Sequence, residues 1–311
     1  MRKTQLKGVL MLLTTAMIWG AAFVAQSVGM ESVGAFTFSA IRMGMAVCVL
    51  LPLILARDAR MKRRMTPEQL AAFEQMNRRS VKYGAILGVV FFFAANLQQL
   101  AFNYAASGKI AFITALYIFF VPLLGLFLGK RVPALTWLSV GMAGVGMYFL
   151  CVDPSDPGRI NTGDVLTFFS SLLFAVHILL IEKYSPKADG VKLSCVQFIV
   201  AGSMSAVVMF AYEKPTLTAI GGAIVPLLYA GVLSCGLAYT FQIIGQRYTD
   251  STLASLLMCL ESVFGALFGA LLLGERLSGR EILGCAVMFA AILLAQTAPV
   301  LTEKLRERRI G

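Results

Sequence analysis

Long apolar runs separated by short polar segments dominate the pattern of this chain. A bilayer core about 30 Å thick needs about 20 apolar residues per helix, and ten runs meet that length. They cover residues 8–27, 35–56, 82–104, 109–129, 134–152, 163–182, 192–212, 221–245, 251–273 and 279–297. We therefore predict an all-α integral membrane protein with ten transmembrane helices.

The composition supports a lipid environment. Hydrophobic residues make up 58% of the 311 positions and charged residues only 14%, against about 25% charged residues in soluble domains. The net charge of +11 does not indicate nucleic acid, because the basic residues lie in short gaps between apolar runs. Six cysteines without a CxxC pair indicate packing residues, and we predict no metal and no cofactor.

The positions of the basic residues predict the orientation of the helices. With the N-terminus inside, 21 of the 27 Lys and Arg residues lie in inner segments, five lie in outer loops, and Arg42 lies within a span. Cytoplasmic loops carry such an excess of Lys and Arg. Both termini are therefore expected in the cytoplasm, with a basic tail at 298–311.

The predicted cytoplasmic loop 57–81 has a helical signal of its own. Thr66 and Gln69 have the spacing of a capping box, and Pro67 stands at the first helical position, where proline is favoured. Apolar residues then recur at helical spacing. We expect a short helix on the inner membrane surface, with a solvated linker as the alternative.

The two halves of the chain show faint similarity to each other. A shift of 143 residues matches Gly88 with Gly231, Ala95 with Ala238, Gln99 with Gln242 and Ala111 with Ala254. Five spans per half is an odd number, so the second half is expected to be inverted relative to the first, as in many secondary transporters. The predicted repeats are 1–152 and 163–297, joined by a linker at 153–162.

Two groups of segments also resemble a known family. The sequence of 14–24, followed by 40–42, resembles the opening of the EamA-type drug/metabolite transporters, and 260–264 with 273–277 resembles that family's motif near the ninth helix. The resemblance implies ten helices in two repeats and movement of small metabolites across a bacterial inner membrane. Two positions depart from the family: Ser262 stands where proline is usual, and Gln26 where a lysine is common.

Charged side chains inside a span need a partner or a water-filled cavity. Glu261 lies near the middle of the ninth span and is a candidate for proton coupling or cation binding; the alternative is a paired or protonated residue that fastens helices. Arg42 lies in the outer half of the second span. Its role is either structural or the binding of a substrate carboxylate.

Two polar stripes follow single faces of the third and eighth spans, at positions i, i+3 and i+7. They are Asn96, Gln99 and Asn103 on the third span and Tyr239, Gln242 and Gln246 on the eighth. We interpret these stripes as the walls of a central pathway, with interhelical hydrogen bonding as the alternative.

Three further residues complete the candidate substrate site. His177 is the single histidine of the chain, which makes a zinc site improbable, and packing is its alternative role. Trp19 and Tyr117 are aromatic candidates for lining a cavity, although aromatic residues in membrane helices usually pack. The candidate substrate-binding set is therefore Trp19, Asn96, Gln99, Tyr117, His177, Tyr239, Gln242 and Glu261.

These features favour a secondary transporter over other classes of membrane protein. No GxxxxGK[ST] motif is present, so a phosphate-binding loop of that type is not predicted. We expect alternating-access export of a small polar metabolite, such as an amino acid, with proton coupling left open. A lipid flippase is the alternative, and a membrane-embedded enzyme is disfavoured. A monomer and a homodimer are equally compatible with the sequence.

Overall fold

A computed structural model of the chain describes residues 3–105, 107–151, 160–273 and 278–310. Every regular element in these ranges is helical, and no β-strand occurs there. Most of the predicted linker 153–162 lies outside the described residues. The apolar runs of the sequence therefore fold into helices in the part of the chain that the structure describes.

The helices follow one another with short connections. The α-helices are α1 (Lys3–Met30), α2 (Ala35–Lys62), α3 (Pro67–Ala101), α4 (Ser107–Thr114), α5 (Tyr117–Phe127), α6 (Ala134–Cys151), α7 (Thr162–Tyr184), α8 (Gly190–Tyr212), α9 (Leu217–Gly222), α10 (Ile224–Leu228), α11 (Thr240–Gly245), α12 (Ser251–Met258), α13 (Glu261–Leu273) and α14 (Gly279–Ile310). A 3₁₀ turn, Ser185–Lys187, follows α7, and a π-helical segment, Tyr229–Tyr239, joins α10 to α11.

Eight helical segments among the described residues are long and apolar enough to cross a membrane. They are Gln5–Met30, Ala35–Lys62, Pro67–Ala101, Ser107–Phe127, Thr162–Lys187, Gly190–Tyr212, Ile224–Gly245 and Ser251–Phe268. The fifth predicted span corresponds to a shorter apolar helix, Ala134–Leu150, and the tenth lies within α14. The architecture is that of a helical integral membrane protein, and the count of ten crossings stays a prediction.

Helix α3 begins at the predicted capping box. The Thr66 side chain accepts from the Gln69 amide at 3.3 Å, and the Gln69 side chain accepts from the Thr66 amide at 3.1 Å. These bonds satisfy amides that a helix start leaves unpaired. The expectation of a separate short helix was wrong, because α3 runs from Pro67 to Ala101 without a break. The predicted loop 57–81 is thus mostly the end of α2 and the start of α3.

The fourth and ninth predicted spans are interrupted at equivalent places. Helix α4 ends at Thr114 and α5 begins at Tyr117. Helix α12 ends at Met258 and α13 begins at Glu261, so each bound is displaced by 144 residues, the separation of Tyr117 and Glu261. In both gaps backbone amides donate to carbonyls three residues earlier, as in a 3₁₀ turn. The second break needs no proline, since Ser262 occupies the position where the EamA-type family has one.

Each of the following helix pairs joins the two halves of the chain, and each has a counterpart in which the two halves are exchanged. Helix α3 packs on α8, and the π-helical segment packs on α2. Helix α3 also packs on α7, whereas the π-helical segment and α11 pack on α1. Helices α4 and α5 pack on α7, while α12 and α13 pack on α1, and α6 packs along α14. Helices α1 and α7 therefore occupy corresponding places beside the two interrupted spans.

Alanine substitutions at two glycines, one at a helix contact and one in open space, are predicted to differ in their effect on stability. A Cβ added at Gly88 would lie 2.8 Å from the Gln197 carbonyl oxygen, whereas one added at Gly44 would meet nothing within 4 Å. We expect Gly88→Ala to lower the free energy of unfolding by about 1–3 kcal/mol through overpacking. Gly44→Ala should be neutral or slightly stabilising, because alanine favours a helix. Thermal unfolding in detergent measures both, and equal midpoints would contradict the proposed close contact.

Candidate central substrate site

A central cavity lies where the interrupted spans meet α1, α2, α3, α7 and the π-helical segment. The residues that line it are Trp19, Ala22, Phe23, Gln26, Arg42, Gln98, Thr114, Tyr117, Phe174, Ile178, Ser234, Tyr239, Gln242, Met258 and Glu261. The volume of this cavity is about 40 Å³. That volume holds a few waters, so a larger ligand requires the walls to separate.

Arg42 places a buried guanidinium in this cavity. The residue is 4% exposed, and its Nη1 donates to Gln26 Oε1 at 2.7 Å. The Phe38 ring lies 5.6 Å from its Cζ. Among the residues that the structure describes, Arg42 forms no salt bridge, and its Nε has no hydrogen-bond partner. A buried cation without a counter-charge favours an anionic group beside it.

Glu261 and Tyr117 also meet in the wall of the cavity. The Tyr117 hydroxyl donates to Glu261 Oε1 at 3.2 Å, and both residues are less than 5% exposed. Each is the first residue of a half-helix, α5 or α13, where the helix dipole favours negative charge. Gly20 brings α1 close to this point, because a Cβ there would lie 2.8 Å from the Glu261 carbonyl oxygen.

Aromatic and amide side chains complete the wall. The Trp19 and Tyr239 rings lie 4.5 Å apart, and Phe91 supports Tyr239 at 4.7 Å. Gln98 Nε2 donates to Thr114 Oγ1 at 2.9 Å. Trp19 Nε1 and Gln242 Oε1 are buried without a hydrogen-bond partner in the protein. A donor and an acceptor left unpaired here favour a polar occupant, since burying them without one costs free energy.

The structure brings six of the predicted residues into this cavity and leaves three outside. Those inside are Trp19, Arg42, Tyr117, Tyr239, Gln242 and Glu261. Asn96 instead donates to Ser205 Oγ at 2.9 Å, and His177 Nε2 lies 2.7 Å from Gln197 Oε1. Gln99 is fully buried and does not line the cavity. In the stripe on the third span, Asn96 therefore contacts α8 instead of the cavity.

Sequence reasoning missed four polar residues of the cavity: Gln26, Gln98, Thr114 and Ser234. The signal for Gln98 was present, because it is a polar residue inside a span. Gln98 is next to Gln99 and therefore lies on a different face of α3. The stripe predicted that the face of Gln99 lines the pathway, whereas the face of Gln98 lines the cavity. Gln26 was noticed only as a replacement for a lysine, and its contact with Arg42 depends on the tertiary structure.

A second cavity also reaches Glu261. Its polar lining comes from Ser27, Ser107, Ser262 and Glu281, together with Glu261 itself. The volume of this second cavity is about 380 Å³, which is much larger than the volume of the central cavity. Glu261 therefore lines two spaces, the central cavity and a second one that is lined mainly by α1, α4 and α13.

Comparison with known proteins gives concordant matches. A family model described as the EamA-like transporter family matches residues 6–152 and 161–297. An uncharacterized transporter of Archaeoglobus fulgidus is 26% identical over 281 residues, which are 90% of this chain and 82% of that protein. One crystal structure of a protein is similar with a TM-score of 0.76 at 17% identity, covering 96% of this chain and 98% of that one. The last match concerns the fold alone.

Proposed function

Because this chain belongs to the EamA-like transporter family, we propose that it is a secondary active transporter that exports a small polar metabolite, such as an amino acid, by alternating access. The family and the archaeal relative are those of transporters rather than of enzymes. The observation that carries the proposal is the central cavity, which is lined by Glu261 and by Arg42, an arginine that forms no salt bridge with the residues that the structure describes.

The chemistry of the cavity favours a substrate with both charges. The Arg42 guanidinium supplies donors for a carboxylate, a group that arginine binds well. The Gln242 oxygen, which has no hydrogen-bond partner in the protein, and the Glu261 carboxylate are acceptors for an ammonium group. Trp19 and Tyr239 add apolar area beside these groups. An amino acid satisfies all of these requirements, whereas a purely apolar ligand leaves the polar atoms unpaired.

Alternating access is supported by the correspondence between the two halves. The family model matches two segments, 6–152 and 161–297. The bounds of the two interrupted spans correspond, and each contact between the halves has a counterpart in which the halves are exchanged. A pathway built from two inverted units can open toward either side. The small central volume means that binding of a metabolite requires the surrounding helices to move apart.

Proton coupling through Glu261 is supported by its position between two cavities. A carboxyl group that faces both spaces can exchange a proton with one and a substrate with the other. The export direction, the bacterial inner membrane and the cytoplasmic termini remain part of the proposal, and the excess of Lys and Arg in the predicted inner segments supports the orientation.

A transport assay with the purified protein tests the proposed function. Amino acids, amines and carboxylic acids are first screened for a rise in the melting temperature, since a ligand of the folded state stabilises it. Labelled compounds that stabilise the protein are then followed into proteoliposomes. We expect an amino acid to enter the proteoliposomes faster than it enters protein-free liposomes. Stabilisation without uptake would assign binding but contradict transport.

A further inference from the structure

Helices α2 and α8 are joined at one end by the carboxylate of Glu213. Its oxygens accept from the Phe36 amide at 2.9 Å, the Thr37 amide at 2.7 Å and the Thr37 hydroxyl at 2.7 Å. The N-cap of α2 is Gly34, which provides no side-chain acceptor. Glu213, which follows α8, therefore satisfies the unpaired amides at the start of a different helix. We call this contact the Glu213 latch.

At the other end of the same two helices, Asp58 makes a corresponding contact. Asp58, near the end of α2, pairs with Lys192 in the first turn of α8 at 2.5 Å. Arg57 pairs with Asp189, the N-cap of α8, at 3.0 Å. We call the Asp58–Lys192 contact the Asp58 latch. Each latch thus connects a carboxylate near the end of one helix with the first turn of the other.

The two latches occupy equivalent positions in the two halves. Residues 58 and 213 are separated by 155 positions, and residues 37 and 192 are separated by the same number. The C-terminal carboxylate of α2 therefore corresponds to that of α8, and the partner in α2 corresponds to the partner in α8. Because α2 and α8 are antiparallel, the contacts lie at opposite ends of the bundle.

The partners of the two carboxylates are buried, whereas Glu213 is partly exposed and the Asp58 side chain is 16% exposed. Thr37 is 1% exposed and Lys192 is 8% exposed, and the Lys192 ammonium lies 4.4 Å from the centre of the Phe73 ring. Hydrogen bonds to charged groups are about twice as strong as neutral ones, and screening by salt is weak at buried sites. Separating the ends of α2 and α8 consequently requires other interactions to compensate.

We infer that Glu213 and Asp58 are positioning residues that hold opposite ends of the central pathway shut, and that the transport cycle opens the two latches one at a time. The inference rests on the proposed function in that it assigns the latches to an alternating cycle. It adds which contacts define the closed ends. In this structure both latches are formed, and the helix between Thr37 and Asp58 carries Arg42, which lines the central cavity.

A cysteine at the cavity wall reports on opening at either end. Ala22 is 2% exposed and lines the central cavity, so Ala22→Cys places a thiol where a reagent arrives only through an opening. The six native cysteines are replaced by serine or alanine. A membrane-impermeant maleimide is then added to intact cells for one face and to inside-out vesicles for the other.

The two latches are expected to act on opposite faces. Glu213→Ala should raise the rate of labelling roughly tenfold from one face, the factor that corresponds to 1.4 kcal/mol, and leave the other face unchanged. Asp58→Ala should do the same from the opposite face, and the double variant from both. Glu31→Ala and Glu68→Ala remove exposed carboxylates near the same two ends and should leave both rates unchanged.

A purely structural role for the two carboxylates predicts a different result. A lower melting temperature with equal labelling from both faces, or no change in labelling, would overturn the inference. If an alanine variant does not fold, Glu213→Gln and Asp58→Asn keep the shape of the side chain and carry the same test. The labelling assay requires no substrate and is therefore independent of the transport assay. If the variants open one face each but the protein transports no metabolite, the inference about the latches stands and the proposed function is rejected.

Discussion

Replacing Arg42 with alanine is expected to reduce amino-acid transport by about 30-fold or more at low substrate concentration. Truncating one partner of a buried charged hydrogen bond costs about 2–5 kcal/mol, and here the partner would be the substrate carboxylate. Arg42 is buried beside Gln26 and forms no salt bridge with the described residues. Initial rates of uptake into proteoliposomes measure the loss.

The control for this prediction lies on the same helix. Arg60→Ala removes an exposed arginine of α2 and should leave the rate unchanged, while Arg42→Lys keeps the charge but loses the two-donor geometry and should be intermediate. An amine that lacks the carboxylate provides a second comparison, because its transport should not depend on Arg42. If the amine loses as much as the amino acid does, Arg42 has a structural role instead.

The fold was largely accessible from the sequence because its strongest signals are local. Apolar runs predict membrane helices by length alone, and the capping box at Thr66 predicts a helix start through contacts between neighbouring residues. The length of α3 was not predicted, because its polar first turns and its apolar part read as two elements. Nothing in the local sequence near residues 115 or 259 marks the two helix breaks.

The candidate site was less accessible, since it depends on which face of each helix points inward. Glu261 and Arg42 were found because a charge inside a span is costly wherever it points. Asn96 and Gln98 have equally polar side chains, yet Asn96 bonds to Ser205 while Gln98 faces the cavity. That difference is set by the packing of α3 on α8, which a single sequence does not specify.

The second cavity gives Glu261 a role that the central cavity alone does not suggest. Tyr117 holds the carboxyl at the start of α13 from the central side, while Ser262 and Glu281 line the space on the other side. Under the proposed function, a carboxyl group that faces both spaces exchanges a proton with one and interacts with substrate in the other. Coupling between substrate and proton then requires no second carboxylate in the central cavity.

Replacing Glu261 with glutamine is expected to abolish the effect of a pH gradient on transport. A difference of one pH unit corresponds to a free-energy difference of about 1.4 kcal/mol per proton. For one-to-one exchange, this free energy sustains a roughly tenfold concentration ratio of substrate. For an exporter that exchanges substrate for protons, the substrate accumulates on the acidic side. Proteoliposomes with an interior one unit more acidic should therefore accumulate substrate about tenfold with the native protein and not at all with Glu261→Gln.

Downhill uptake and a matched variant make this result interpretable. Glu261→Gln preserves the size of the side chain, so the variant should still equilibrate substrate down its own gradient. Tyr117→Phe removes the hydroxyl that donates to Glu261 but leaves the carboxyl in place, and accumulation should persist. Undiminished accumulation by Glu261→Gln would assign proton coupling to another group. Loss of downhill uptake as well would show that binding of the ammonium group needs the negative charge of Glu261 and that the acceptor oxygen of glutamine does not replace it.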